Sequence, residues 1–130
     1  MITEDFVSFE TAKLLKEKGF DADIDLWYDS EGEIFHLCHC DYNATKHFAC
    51  VQCPTLQMAM KWLREEHNIH ITGVPNGIGE NVFYMGIYRK YYYGWTCISD
   101  CLDEKYKEAE FHMPEEACEA AIKYCLENLV

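Results

Sequence analysis

The chain has 130 residues, 49% hydrophobic and 15% aromatic, which is enough for one packed core and too apolar for a disordered segment. Its formal net charge is −12, which removes the basic stripe that a phosphate-backbone binder carries and counts against direct contact with nucleic acid. No apolar run approaches the roughly 20 residues of a membrane span, and the N-terminus lacks a charged-then-apolar signal pattern, so a soluble cytosolic protein, away from membranes, is expected.

The elements are predicted in chain order. Ser8 to Lys18 reads as a helix, with Ser8 as N-cap, Glu10 in the first turn and Gly19 as the stop. Val7 and Ala12 have the spacing of a hydrophobic staple. Ile24, Leu26 and Tyr28 then alternate with Asp23, Asp25 and Asp29, the pattern of a half-buried strand with an acidic outer face. A turn at residues 30–33 leads to a returning strand, Ile34 to Cys40. Pro54 to His67 reads as the second helix, with proline at its first position and Leu56, Ala59, Met60 and Leu63 on one apolar face.

Ile69 to Val74 is the next predicted strand, and Pro75-Asn76-Gly77 the turn after it. Val82 to Tyr93 reads as one long strand or two short ones, broken at Gly94, with Trp95 to Ile98 continuing the sheet. The polar stretch from Asp100 to Glu110 reads as a loop, with Ala109 to His112 as a short edge strand. Pro114 opens the last helix, where Cys118, Ala121, Ile122, Cys125, Leu126 and Leu129 recur at core spacing. The expected architecture is a single α+β domain over residues 1–130, ordered α-β-β-α-β-β-(β)-α. An antiparallel sheet of four to five strands would be covered by helices on one face. Its closing α-β-β-β-α stretch has the element order of a double-stranded RNA-binding domain, while the charge argues against that function.

Eight cysteines are too few for a disulfide scaffold of this length, and without an export signal they are expected to stay reduced. Cys118 and Cys125 fall on the core stripe of the last helix. Cys38, Cys40, Cys50 and Cys53 have spacing that four thiolates could use to close a tetrahedral zinc site, with His36, His39 and His47 nearby; free thiols are the alternative. Zinc is the one cofactor that the residue spacing suggests, and no catalytic motif is present.

Aromatic residues crowd the middle of the chain. Tyr84, Tyr88 and Tyr92 share one face of an unbroken strand, Trp95 follows, and Arg89 lies within the run together with Lys90. Such a surface suits protein contact or stacking, and strand packing is the alternative. The charge is uneven: −8 over residues 1–41, +2 over residues 42–99 and −6 over residues 100–130. Acidic ends suit a basic partner, with Asp23, Asp25 and Asp29 as candidate contacts, or they confer solubility alone.

Three stretches, FVSFETAKLLKEKGF (6–20), PTLQMAMKWLREEHNIHI (54–71) and AAIKYCLENLV (120–130), resemble a family of small proteins encoded by gut-bacterial phages and mobile elements. PTLQ-x-A-x-KWLRE is the most specific word, and the segment from Leu37 to Cys53 departs from the family pattern. The family brings no assigned activity. The resemblance implies a phage-type accessory protein in a bacterial cytoplasm. The leading expectation is therefore a non-enzymatic acidic protein that binds a host protein, with counter-defence as one role for it. The alternatives are a binder of a small molecule or nucleotide signal at the Tyr/Trp strand, and a small zinc-binding module.

Overall fold

The computed structural model describes residues 2–36, 50–77 and 81–130. Helix α1 (Phe9–Glu17) starts where Ser8 places its side chain to accept the Thr11 amide. It buries Thr11, Ala12 and Leu15. Strands β1 (Leu26–Tyr28), β2 (Ile34–His36) and β3 (Val51–Gln52) form one antiparallel three-stranded sheet in the order β2-β1-β3. Gln52 fastens the loop that precedes β1. Its side-chain amide donates to the Ala22 carbonyl at 2.6 Å, and its oxygen accepts the Ala22 amide at 3.1 Å.

Helix α2 (Leu56–His67) starts two residues later than a proline-first reading gives. Thr55 is the N-cap and accepts the Met58 amide, whereas Pro54 offers its carbonyl to the Val7 amide and belongs to the sheet layer. Asn68 ends the helix in the left-handed region (φ 57°) and returns its amide to the Leu63 carbonyl. One residue therefore turns the chain from helix into strand β4 (Ile69–Pro75). Strand β4 pairs with β5 (Phe83–Tyr91), which pairs with β6 (Gly94–Cys97), giving a second three-stranded antiparallel sheet in the order β4-β5-β6.

The architecture is α+β, as expected, but its strands divide into two sheets of three where one sheet of four to five was expected. The reason is β3: two residues are too short to show alternation, yet their pairing with β1 completes a separate sheet. The stretch read as a loop at 100–110 holds a 3-10 turn (Ser99–Cys101) and helix α3 (Glu104–Lys107). Tyr106 holds α3 against the last helix by an edge contact with Tyr124, ring centres 4.6 Å apart. The expected edge strand at 109–112 is reduced to a single bridge between Phe83 and Phe111.

Helix α4 (Pro114–Asn128) supplies the centre of the fold. Ala117, Cys118, Ala121, Ile122, Cys125 and Leu126 are buried, while Leu129 at the helix end is only half-buried. The helix lies on the inner face of β4 and β5, where Ile69, Ile71, Met85 and Ile87 point, and it also touches α1 and α2. A side chain at Gly73 would stand 2.9 Å from Pro114, so glycine there lets the helix start lie directly on β4. One continuous core joins Tyr28 and Val51 of the first sheet to Ile69 and Ile87 of the second.

Glu119 ties α4 to the start of α1. Its Oε1 accepts the Ser8 amide at 3.0 Å and the Thr11 hydroxyl at 2.7 Å. A carboxylate thus sits at the positive end of α1 and satisfies a buried hydroxyl. The neighbouring Lys123–Glu10 pair, at 2.9 Å, lies in solvent, where such pairs contribute little. Leu126→Ala should lower unfolding stability by about 2–5 kcal/mol and Glu119→Ala by about 1–3 kcal/mol, with Glu10→Ala within about 0.5 kcal/mol of wild type. Urea titrations of the variants measure this, and an equal effect of Glu10→Ala and Glu119→Ala would refute the role given to Glu119.

Candidate functional site

The aromatic run forms a hairpin whose pleat sorts its side chains. In the β4-β5-β6 sheet the inner face carries Met85, Ile87 and Arg89, and the outer face carries Tyr84, Tyr88 and Lys90. The register places His70 opposite Tyr88, and Lys90 opposite Trp95. His70 stands 6.0 Å from both the Tyr88 and Trp95 rings. Arg89 therefore lies on the face opposite Tyr88 and Trp95. A single surface combining Tyr84, Tyr88, Arg89 and Trp95 does not form, as the strict alternation of a strand requires.

Tyr92 also leaves the face assigned to it. Strand β5 ends at Tyr91, and Tyr92-Tyr93 are the turn between the paired residues Tyr91 and Gly94. Gly94 takes φ 127°, a backbone that an L side chain rarely adopts, so glycine is what closes this tight turn. Tyr92 is fully exposed and Tyr93 is 78% exposed, while Tyr91 and Tyr93 stack at 5.8 Å with ring planes 15° apart. Trp95 is 45% exposed beside them. The tip is an aromatic surface that the core does not use.

The acidic candidates separate in the same way. Asp23 and Asp25 are exposed before β1. Asp29 is half-buried, and its Oδ1 accepts the amides of Glu31 at 2.8 Å and Glu33 at 3.0 Å. It builds the β1–β2 turn, so Asp29 is a folding residue rather than a free outer-face charge. The first turn of α4 carries Glu115 and Glu116, a helix start that repels phosphate.

Among the thiols, Cys38 and Cys40 lie outside the described residues. Cys50 and Cys53 are buried. Cys53 packs in hydrogen-bonding contact with the Tyr28 hydroxyl, which itself donates to the Val7 carbonyl, and burial pushes the Cys53 thiol above its ordinary range. This cross-link of β1, β3 and the N-terminal segment holds the core, and its cue in the sequence was an inward tyrosine two residues after Leu26. The described cysteines are all free. Among the described residues no group of three His, Cys, Asp or Glu side chains is arranged to hold a metal ion. No described helix is long and apolar enough to cross a membrane. Compared with family models, characterised proteins and solved structures, the chain matches none.

Burial raises the Cys125 thiol from an ordinary value of 9.0 to about 12, and the Tyr28 hydroxyl also rises, chiefly through desolvation. An acid held more weakly dissociated in the folded state favours folding below its unfolded pKa and loses that contribution as pH climbs to its folded one. The urea midpoint should therefore fall between about pH 9 and pH 12, and Cys125→Ala should flatten that fall. In native protein a thiol-alkylating reagent should label exposed Cys97 and Cys101 well before buried Cys118 and Cys125, as peptide mapping would read. Early labelling of Cys125 would contradict its placement in the core.

Proposed function

We propose that this chain is a non-enzymatic binding protein of a phage or mobile element that grips a basic host protein through the tip of the β5–β6 hairpin, in a counter-defence role. The observation that carries the reading is the exposed tyrosine pair, Tyr92 and Tyr93, beside Tyr91 and Trp95. Aromatic side chains left in water at a rigid turn cost solubility and add nothing to the core, whereas Tyr and Trp dominate the centres of protein interfaces. The acidic ends of the chain add the second support, since opposite potentials steer encounter. The host side of the reading rests on the resemblance to phage-encoded proteins.

The Tyr92→Ala/Tyr93→Ala variant should melt at the wild-type temperature and lose the host protein that wild type retains from a lysate. Retention of the same protein by the variant would overturn the reading. Once that partner is in hand, Asp23→Lys/Asp25→Lys should slow association several-fold with little change in dissociation, and added salt should slow wild type alike, because exposed charges are screened over about 8–10 Å. Asp29 is left out of that reversal because it builds a turn. Stopped-flow association at low and physiological salt reads the effect, and indifference to both changes would remove the acidic ends from the contact.

A further inference from the structure

The second edge of β5 is paired at both ends and open in the middle. The amide of Lys90 reaches the Asn68 carbonyl and the amide of Asn76 reaches the Val82 carbonyl, so the even-numbered residues of β5 bond to β4. The odd-numbered residues point their peptide groups the other way. Phe83 exchanges both bonds with Phe111, at 2.7 and 2.9 Å. Ile87 accepts the Ile98 amide at 2.8 Å and gives its own amide to Ser99 Oγ at 2.6 Å. Met85 lies between them. Continued β6 pairing would set Asp100 opposite Met85, but the chain turns away there in the 3-10 turn Ser99–Cys101. Approach from Phe111 would set Ala109 opposite, but the Ala109 amide bonds the Tyr106 carbonyl. Among the described residues, none stands across from Met85 on this edge.

A cavity of about 720 Å³ fills this gap, lined by Met85 together with Tyr84, Tyr88, Asp100, Lys107, Glu108 and Glu110. We propose that it is a binding site for one residue of an extended basic peptide segment, which completes the interrupted ladder opposite Met85. The ligand residue would donate its amide to the Met85 carbonyl and accept the Met85 amide, as a strand neighbour does. Its neighbours cannot continue the ladder, because Phe111 and Ile98 already occupy the flanking positions. The segment therefore enters as a chain end or the tip of a loop. Asp100, Glu108 and Glu110 outnumber Lys107 around the opening, so a lysine or arginine side chain is favoured and a phosphate is not. The Tyr84 and Tyr88 rings on the outer face supply the surface over which that stem lies. The choice of a basic occupant agrees with the reading of the chain as a binder of a basic protein, but the site lies apart from the hairpin tip.

The test is titration of the full chain with a blocked tripeptide, acetyl-valine-lysine-valine-amide, followed by amide NMR. The largest shifts should fall on Met85 and its neighbours Tyr84 and Gly86. Methylating the lysine amide nitrogen of the peptide should weaken binding about fivefold or more, the size of one lost hydrogen bond. A glutamate in place of the lysine should abolish binding. Glu108→Lys/Glu110→Lys, both exposed, should weaken the lysine peptide while leaving the melting temperature unchanged. The Tyr92→Ala/Tyr93→Ala variant should bind the peptide as wild type does, which separates this site from the hairpin tip. Shifts centred on the tip, equal binding of the methylated or glutamate peptide, or no shift at millimolar peptide would each overturn the proposal.

Discussion

The close seat of α4 on the second sheet is the constraint from which the other contacts follow. A helix can approach a strand closely only where side chains are small on both surfaces, and here Ala117 and Ala121 are fully buried above β4 while Gly73 admits Pro114. Closeness lets Ile122, Cys125 and Leu126 join Ile69, Ile71, Met85 and Ile87 in one buried cluster. Once α4 is fixed, its Glu119 fixes the start of α1, and Tyr124 fixes α3. The helix is thus bound through its apolar stripe to the sheet and through polar and aromatic flanks to its neighbours.

That arrangement decides which surfaces remain. The helices cover the inner face of β4 and β5, so the outer face keeps His70, Tyr88 and Trp95, and the exposed hairpin tip lies outside the core. A strand pair anchored at Ile87 and bonded along its length to β4 holds its turn at low entropy cost, so aromatic residues there can contact a partner without first being ordered. The charge pattern follows the same division. The near-neutral middle of the sequence supplies both sheet faces, and the acidic segment 100–110 lies alongside them, so the outer face has an acidic border built from a different part of the chain.

Features set by local periodicity were legible in the sequence. Ser8 as a cap, the inward stripe of α4, and the long strand ending near Gly94 all follow from spacing and capping chemistry. Features set by distant partners were not. Thr55, not Pro54, begins α2 because Pro54 is needed by Val7 in the first layer. Strand β3 carries no periodic signal, and its place depends on Trp27 and Tyr28. Glu119 looks like one more helix carboxylate until α1 is placed beneath it. At the candidate site, alternation alone separates Arg89 from Tyr88, and the Tyr-Tyr-Gly sequence marks Tyr92 as a turn residue rather than the end of a strand face. Asp29 had a cue as well, since Asp two residues before Glu31 can accept local amides in a turn.

The gap opposite Met85 shows how an ordinary ladder rule can mark an unusual place. A strand edge normally ends by fraying at its terminus or by a change of partner along its length. Here the ladder stops at Ile87 and resumes at Phe83, and the stop at Ile87 is closed by the Ser99 hydroxyl taking the place of a backbone carbonyl. The chain between these two points, 99–110, spends its residues on a turn, a short helix and acidic side chains rather than on a strand. Ordering it costs conformational entropy that the Phe83–Phe111 bridge, the Ile87–Ser99 hydrogen bond and the Tyr106–Tyr124 contact must offset. A direct continuation of β6 would have satisfied Met85 with fewer residues. The longer route leaves Met85 beside a cavity and borders that cavity with carboxylates, so what the detour adds to the molecule is a recess of strand geometry and negative charge.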